Sequence, residues 1–585
     1  MTGCDDPTCS VLFRSRLTGV MLTGLLLAGA TLNACDRGGL TGPERAAPER
    51  PVLALNPACA GSGGQTHADS VKTAVTWSQA GNPHRVNQLI HIEGAGSLRL
   101  TAGTLVCFGS GGGLRANNGG RLRVEGTKLA PVVLTAADLI GGWLGVHLAG
   151  TPSAASPVKN LRLEHTRSTY AFATHDNHTA AIDSTVFRQN QEGLYLSGWA
   201  SSLRRSRVDT VTGPNSAVTM GRRTTFQQTV IRGAAGVGLA VLGTDSISLL
   251  GGRIEGSGGP GLVVTTPETG FLSTQPVRVT AGAGYPAQLE VGAFARIYSL
   301  SYQDSLLGNA RDTVVVTGGT LWTGVAFAAP ALPWRVTGRI DLVTRGAIVA
   351  RPGATLVMEP SAVIVADSGG QVSARGTQAA PVRFTGSAWY GIDLKGTPWR
   401  TFQGPFRDGV SYLTNARIEG TVGVAVMSHH PHPVVIDSTV FRQNGAAAWL
   451  MSTRSRISRS RVDTTLIDDP AVVLNGGATL ESTLIRGSAG DGLWITPFGG
   501  IVQSCEIRES ARVGIRLFTS TTIRNCNLVN NAGAGLHRDG GSTAYAEDNW
   551  WGSTSGPTGP GGDGVLGPVD YTPWLTAPYV LPYVP

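Results

Sequence analysis

The sequence predicts an all-β chain, a right-handed parallel β-helix, as one elongated domain of two duplicated halves. Three observations carry that reading. The composition is turn-rich, with 80 glycines, 15% charged residues and 6% aromatics among 585 residues. Such a chain suits many short strands and excludes a highly charged disordered one. A unit of 21–23 residues recurs along the chain, and a larger duplication lies over it.

Each unit centres on a large apolar residue with Ser, Thr or Cys two places earlier. Phe187, Val208 and Ile231 follow Thr185, Ser206 and Thr229. Phe441, Val462, Ile485, Ile507 and Leu528 follow Thr439, Ser460, Thr483, Cys505 and Cys526. Gly-Leu or Gly-Ile comes seven or eight residues beyond most of them, at Leu194, Leu239, Leu493, Ile515 and Leu536. The local period is 2, broken by Gly, Asn and Ser, so each unit holds short strands joined by tight turns. One such rung cannot close a core alone. Stacked rungs pair strand on strand about 4.8 Å apart and bury continuous ladders. Leucine-rich repeats share the length, but their fixed pattern is absent. Parallel crossovers are overwhelmingly right-handed, which sets the expected hand.

The larger duplication places Asp183 and Asp437, Ser206 and Ser460, Arg232 and Arg486, and His175 and His429 at one common offset of 254 residues. The expected layout is a cap at 60–84, a first half at 85–300, a junction at 301–329, a second half at 330–546 and a closing cap at 547–585. Open coil ends are sheet edges and need cover; Tyr571 and Trp574 are candidates for the far end.

The N-terminus carries Arg14 and Arg16 before the apolar run LTGVMLTGLLLAGATL, of signal-peptide length. The run ends in LNAC, Leu32 to Cys35, which resembles the bacterial lipobox. The resemblance implies a signal at 1–34, cleavage before Cys35, a lipid on that thiol and a tether over 35–59. The plainer alternative is a cleaved secretion signal. Export leaves Cys59, Cys107, Cys505 and Cys526 in an oxidising compartment. Cys505 and Cys526 are either stacked small inward residues or a disulfide between rungs. Cys59 and Cys107 are candidates for a disulfide clipping the N-terminal end. The expected location is therefore the cell envelope, lipid-anchored at the outer membrane or cell surface, or secreted.

Each half opens on a related pattern. One is WRVTGRIDLVTRGAIVARPGATLVMEPSAVIVADSGGQVSARGTQAAPVRFTG followed by WYGIDL; the other ends GTKLAPVVLTA followed by WLGVHL. The far end reads NWWGSTSGPTGPGGDGVLGPVDYTPWL, Asn549 to Leu575. These segments resemble bacterial surface proteins of the pectate-lyase-like fold, over nearly all of residues 85–577. The resemblance implies architecture and no particular activity, since that fold carries lyases, hydrolases, adhesins and inert supports.

Chemistry is sparse in the sequence. No aspartate cluster at one rung position suggests calcium, and the glycosidase and lyase signatures NTD, GHG, RIK, WIDH and RxPxxR are missing. His175-x-x-His178 and His429-x-x-His432 recur, but a third metal ligand is wanting and the residues read as exposed loop histidines. Two arginine-rich strings, Arg204, Arg205 and Arg207, then Arg454, Arg456, Arg459 and Arg461, are the candidate binding residues for acidic polysaccharide. The competing reading is a solvated face paired with Asp209 and Asp463. The net charge of +8 has no basic block interleaved with aromatics, so nucleic acid is not expected. The expectation is a monomeric surface or adhesin-like protein without a cofactor, leaning away from enzyme activity. The alternative is a polysaccharide lyase or glycoside hydrolase of acidic glycan. Lys, Arg, Tyr or carboxylates converging in a groove favour that alternative; flat Ser, Thr and Arg ladders favour binding.

Overall fold

The computed structural model describes residues 54–152, 154–243, 246–265, 271–298, 305–327, 332–398 and 408–582. The expected signal, Cys35 and most of the tether lie outside the described residues. From Leu53 to Pro585 the chain forms one compact unit, a parallel β-solenoid.

One rung shows the construction. Ala180–Asp183, Val186–Asn190 and Leu194–Leu196 are its three strands. Each pairs in parallel with the next rung: Ile182 with Leu203, Phe187 with Val208, and Leu194 with Val218. Between the first two strands the chain turns on one left-handed residue, Ser184, with φ 52°. Arg205, Gln228, Ser438, Arg459, Ser482, Ser504, Asn525 and Asp548 hold the same conformation at the same corner.

That corner explains the small residue two places before each apolar one. The turn breaks the strand ladder and buries amides that need partners. The side chain of the next rung supplies them. The Thr185 amide donates to Ser206 Oγ at 3.2 Å, and the Ser206 amide to Thr229 Oγ1 at 3.2 Å. The second half repeats this with Thr439 on Ser460 and Ser460 on Thr483. The Cys505 amide donates to Cys526 Sγ at 3.4 Å, and the Cys526 amide to Asn549 Oδ1 at 2.8 Å. Both thiols are free and buried, so these cysteines are ladder members and no disulfide joins them. Burial pushes the Cys505 thiol well up.

A second ladder fills the next corner. Asn190 Oδ1 accepts from the Thr166 amide at 3.0 Å, and Asn444 Oδ1 accepts from the Thr421 amide at 3.1 Å. Asn444 is buried inside the corner, with Nδ2 on Ile418 O at 2.8 Å.

Both ends differ from the expected boundaries. Cys59 and Cys107 form a disulfide with Cα atoms 5.9 Å apart. Asn56 donates to Thr135 Oγ1 and Ala136 O, each at 2.9 Å. The fold therefore begins inside the expected tether. Gln65–His67 pairs with His84–Val86, and Ala74–Trp77 with Ser97–Thr101, so 60–84 supplies strands as well as cover. At the far end Val565–Leu566 adds to Ala534–Arg538. The NWW segment is a rung before it is a cap. Asn549 completes the amide ladder, and Trp551 is buried edge-on to Tyr571.

At the end of the expected first half, next to the junction, stands a helix, Val291–Tyr298, where strands were expected. Its Phe294 stacks on Phe327 at 4.9 Å and meets Trp334 edge-on. One sheet runs through this junction. Its inward column reads Leu194, Val218, Leu239, Leu262, Ala287, Val314, Trp334, Leu356, Phe384, Ile418, Phe441. Yet the residue 254 places after Leu194 is Ala448, on the neighbouring strand Ala446–Leu450. The second copy is thus turned by one face of the coil relative to the first.

Candidate functional site

A candidate site lies on the outward side of the sheet holding Gly113–Asn117, Val146–Leu148, Phe172–Thr174, Leu194–Leu196 and Val218–Met220. Alternation turns the first and third residues of each three-residue strand inward and the middle one outward; in Gly113–Asn117, Leu114 and Ala116 are buried and Arg115 between them faces out. Register therefore stacks Arg115, His147, Ala173, Tyr195 and Thr219 in one outward column. Ala173 is too small to fill its place. His175 occupies the space beside it, with its ring 6.3 Å from His147 and 5.3 Å from Tyr195. Tyr170 stacks on Tyr195 at 4.8 Å. The result is an aromatic ridge.

A groove flanks each side of this ridge. At the strands' N-terminal ends a groove of about 620 Å³ is lined by Arg115, His147, Arg167, Gln191, Glu192 and Asn215, among others. At their C-terminal ends a groove of about 570 Å³ is lined by Asn177, Tyr195, Ser197, Trp199 and Arg222. Arg223 lies over the Trp199 ring at 4.3 Å.

The charges here are under-neutralised. Arg115 reaches only Asn117 Oδ1, at 3.3 Å, and Arg167 has no side-chain partner among the described residues. Glu192 is 7% exposed, and its Oε2 has no hydrogen-bond partner. Burial, the His175 imidazole and Arg115 together hold His147 below its ordinary value, against a backbone bond at Leu144. His175 is also held low, by burial first and by Arg115, while Asp176 opposes. Burial, then Tyr195 and Glu192, raise Tyr170.

The arginines singled out in the sequence do not form one surface. Arg204 lies on Ser202–Arg204, Arg205 sits in the left-handed corner, and Arg207 lies on Arg207–Val211, round that corner. Arg456, Arg459 and Arg461 repeat the arrangement, with Arg454 just ahead. Most are already engaged. Arg205 pairs with Asp183, Arg207 with Asp209, Arg459 with Asp437, and Arg461 with Asp463 at 2.7 Å. Arg456 reaches Glu481 at 3.4 Å and Arg454 the Asp408 carbonyl at 3.3 Å. The Arg204 guanidinium alone of the seven has no partner, side chain or backbone, among the described residues. Beside them runs an alternating ladder, Glu164, Arg188, Asp209, Arg232, Glu255. This is the solvated, internally paired face, so the arginine strings lose their place as the leading binding surface.

The histidine pairs also separate. His178 and His432 were expected as exposed loop residues; both are fully buried. His178 lies 2.9 Å from Ser156 Oγ and 3.3 Å from Ala149 O; His432 lies 2.8 Å from Ser411 Oγ and from Gly396 O. Burial pushes His432 down to about 4. Each closes a turn onto its neighbouring rungs. His429 pairs with Asp393 at 3.0 Å. Among the described residues no three His, Cys, Asp or Glu side chains are grouped to hold a metal ion.

The groove residues escaped sequence reading because they come from five rungs with no shared motif. The signal that finds them is the difference between the copies. Register and matching hydrogen bonds align Arg115 with Val365, His147 with Asp393 and Arg167 with Val422. The 254-residue offset aligns Glu192 with Ala446, Trp199 with Thr453 and Arg222 with Gly476.

Residues 406–550 match the family model described as "Right handed beta helix region". No curated protein matches. A solved structure titled "Structure of PL6 family alginate lyase AlyGC" aligns at 10% identity and a TM-score of 0.17, over 86% of this chain and 95% of that one. No functional argument follows from that alignment.

Proposed function

We propose that this right-handed parallel β-helix is an exported cell-envelope protein, lipid-anchored through Cys35, that binds an acidic glycan on the outward face of its first half. The observation that supports this most is the pair of unneutralised guanidiniums, Arg115 and Arg167, in one groove beside a ridge of stacked rings. Guanidinium forks suit carboxylates, and arginines without an internal partner are available for one. Aromatic rings lining the second groove, Tyr195 and Trp199, offer apolar area to sugar rings, while Gln191, Asn215 and Asn177 offer donors and acceptors for hydroxyls. Five successive strands at about 4.8 Å spacing give the face a length of roughly 20 Å, enough for several sugar units.

The test is calorimetric titration of the full chain with oligogalacturonate, oligoalginate and a neutral glucan. Binding to one or both acidic glycans and none to glucan is expected. Arg115→Val with Arg167→Val installs the residues that the second half carries at the matching places. Affinity should fall about tenfold or more with the melting temperature unchanged. Unchanged affinity refutes the proposal.

Two observations favour a second reading, a polysaccharide lyase or hydrolase in the same groove. Arg115, Arg167 and the Glu192 carboxylate converge there, the arrangement expected of an enzyme, and His147, held below its ordinary value chiefly by burial, lines the groove with them. Ultraviolet-absorbing or new reducing ends released from those glycans, and lost in His147→Asp, would decide for that reading.

A further inference from the structure

Glu192 is anomalous for a face that takes anions. It is 7% exposed, lines the groove with Arg167 and Asn215, and leaves Oε2 without a partner. A buried acceptor in that state is unfavourable unless something donates to it. Nor does the rung need it, because the second half builds the matching rung with Ala446.

A neighbouring residue makes room for it. A Cβ on Gly213 would meet Glu192 Oε1 at 2.1 Å and the Gln191 carbonyl oxygen at 2.5 Å, so the close backbone approach calls for glycine and the carboxylate uses the space that this leaves. The residue matching Gly213 in the second half is Ile467. The two positions differ together between the copies: carboxylate with glycine in one, methyl with a branched side chain in the other. The carboxylate and the space that holds it are thus both features of the first copy alone.

We infer that Glu192 is the specificity-determining residue of the groove, accepting hydrogen bonds from free ring hydroxyls of a sugar whose carboxylate lies on Arg115 or Arg167. This rests on the acidic-glycan reading above. A uronic acid with an unsubstituted diol presents one anion and adjacent donors, matching two guanidiniums and one carboxylate. A densely sulfated or phosphorylated polymer presents anions without those donors and places one against Glu192. An acylated uronan loses the donors and adds bulk. The carboxylate therefore acts partly by rejection, as specific sites commonly do.

The experiment titrates the full chain with oligogalacturonate, its O-acetylated form and dextran sulfate. The variants are Glu192→Gln, Glu192→Ala and the Arg115→Val/Arg167→Val pair. The wild type is expected to favour free over O-acetylated oligogalacturonate by roughly tenfold or more and to bind dextran sulfate weakly. Glu192→Ala should lose about that factor on the free form, flatten the preference and gain dextran sulfate binding. Glu192→Gln keeps an acceptor oxygen without the charge. It should gain dextran sulfate binding while keeping part of the preference. An unchanged preference in Glu192→Ala, with the arginine pair still losing binding, overturns the role of Glu192 and leaves the glycan reading standing. Absence of any uronate binding by the wild type overturns both.

Discussion

The two halves differ most where they face solvent. On the first, the rings of His147, His175 and Tyr195 line up beside unneutralised Arg115. On the second, Asp393, His429 and Trp449 stand at the same places, and Asp393 lies 3.0 Å from both the His429 ring nitrogen and the Lys395 ammonium. One copy closes its charges among themselves; the other leaves them open. Beneath, the copies share their corner hydrogen bonds. His178 and His432 bond Ser156 and Ser411, and Asn190 and Asn444 bond Thr166 and Thr421. What a rung needs to stack is therefore separable from what one face offers to a partner.

The comparison breaks first if the cores are unequal. Phe187 and Phe441 are both fully enclosed in matching rungs. Phe187→Ala and Phe441→Ala should each cost about 3–5 kcal/mol, through lost burial and a residual cavity. Thermal or guanidinium unfolding checks this; a large difference between the two would show that the halves are not equivalent supports.

Acid should strike the shared core next. His432 has its folded value at about 4 against an ordinary 6.5, so the unfolded chain binds the proton more readily. Its contribution is fully present above pH 6.5, is lost as the pH falls from 6.5 towards 4, and changes little below that. The loss amounts to about 3 kcal/mol at most. His178 is lowered by the same cause and adds in the same direction. Urea unfolding at pH 7 and pH 4.5 tests it. His432→Asn should be less stable at pH 7 and lose less than the wild type between the two pH values. Equal losses would free His432 of that role.

How far the sequence reached follows from the same division. The rung period, the Thr-x-Phe and Cys-x-Ile spacings and the duplication were legible because stacking demands one residue type at one place in every rung. The corner ladders made Ser, Thr, Cys and Asn interchangeable, and that repetition shows in the letters. The turn of the second copy by one face was not legible, since it depends on how the Val291–Tyr298 helix and the Val314–Leu321 strand cross the junction. The groove was illegible for a related reason. Arg115, His147, Arg167 and Glu192 lie up to 77 residues apart in the chain and converge only by register. A motif search favours local strings, and so it favoured Arg204, Arg205 and Arg207. Likewise His178 read as a loop residue because its partners, Ser156 and Ala149, lie 22 and 29 residues away.

The smallest expected effect concerns those arginines. Arg207 and Arg461 are half-exposed or nearly so, each held by the aspartate two places on, Asp209 or Asp463. Exposed pairs of this kind contribute about 0–1 kcal/mol, because water screens the attraction and two long side chains lose freedom. Asp463 also holds Arg486 at 2.6 Å, so losing Arg461 leaves that carboxylate with a partner. Arg461→Ala should therefore shift the melting temperature less than Arg207→Ala, and neither should change affinity for oligouronate. Titration of both variants beside Arg115→Val/Arg167→Val separates the two surfaces directly. If Arg207→Ala weakens binding as much as the groove pair does, the ligand lies round the corner on the paired face, and the contrast drawn between open and closed charges fails there.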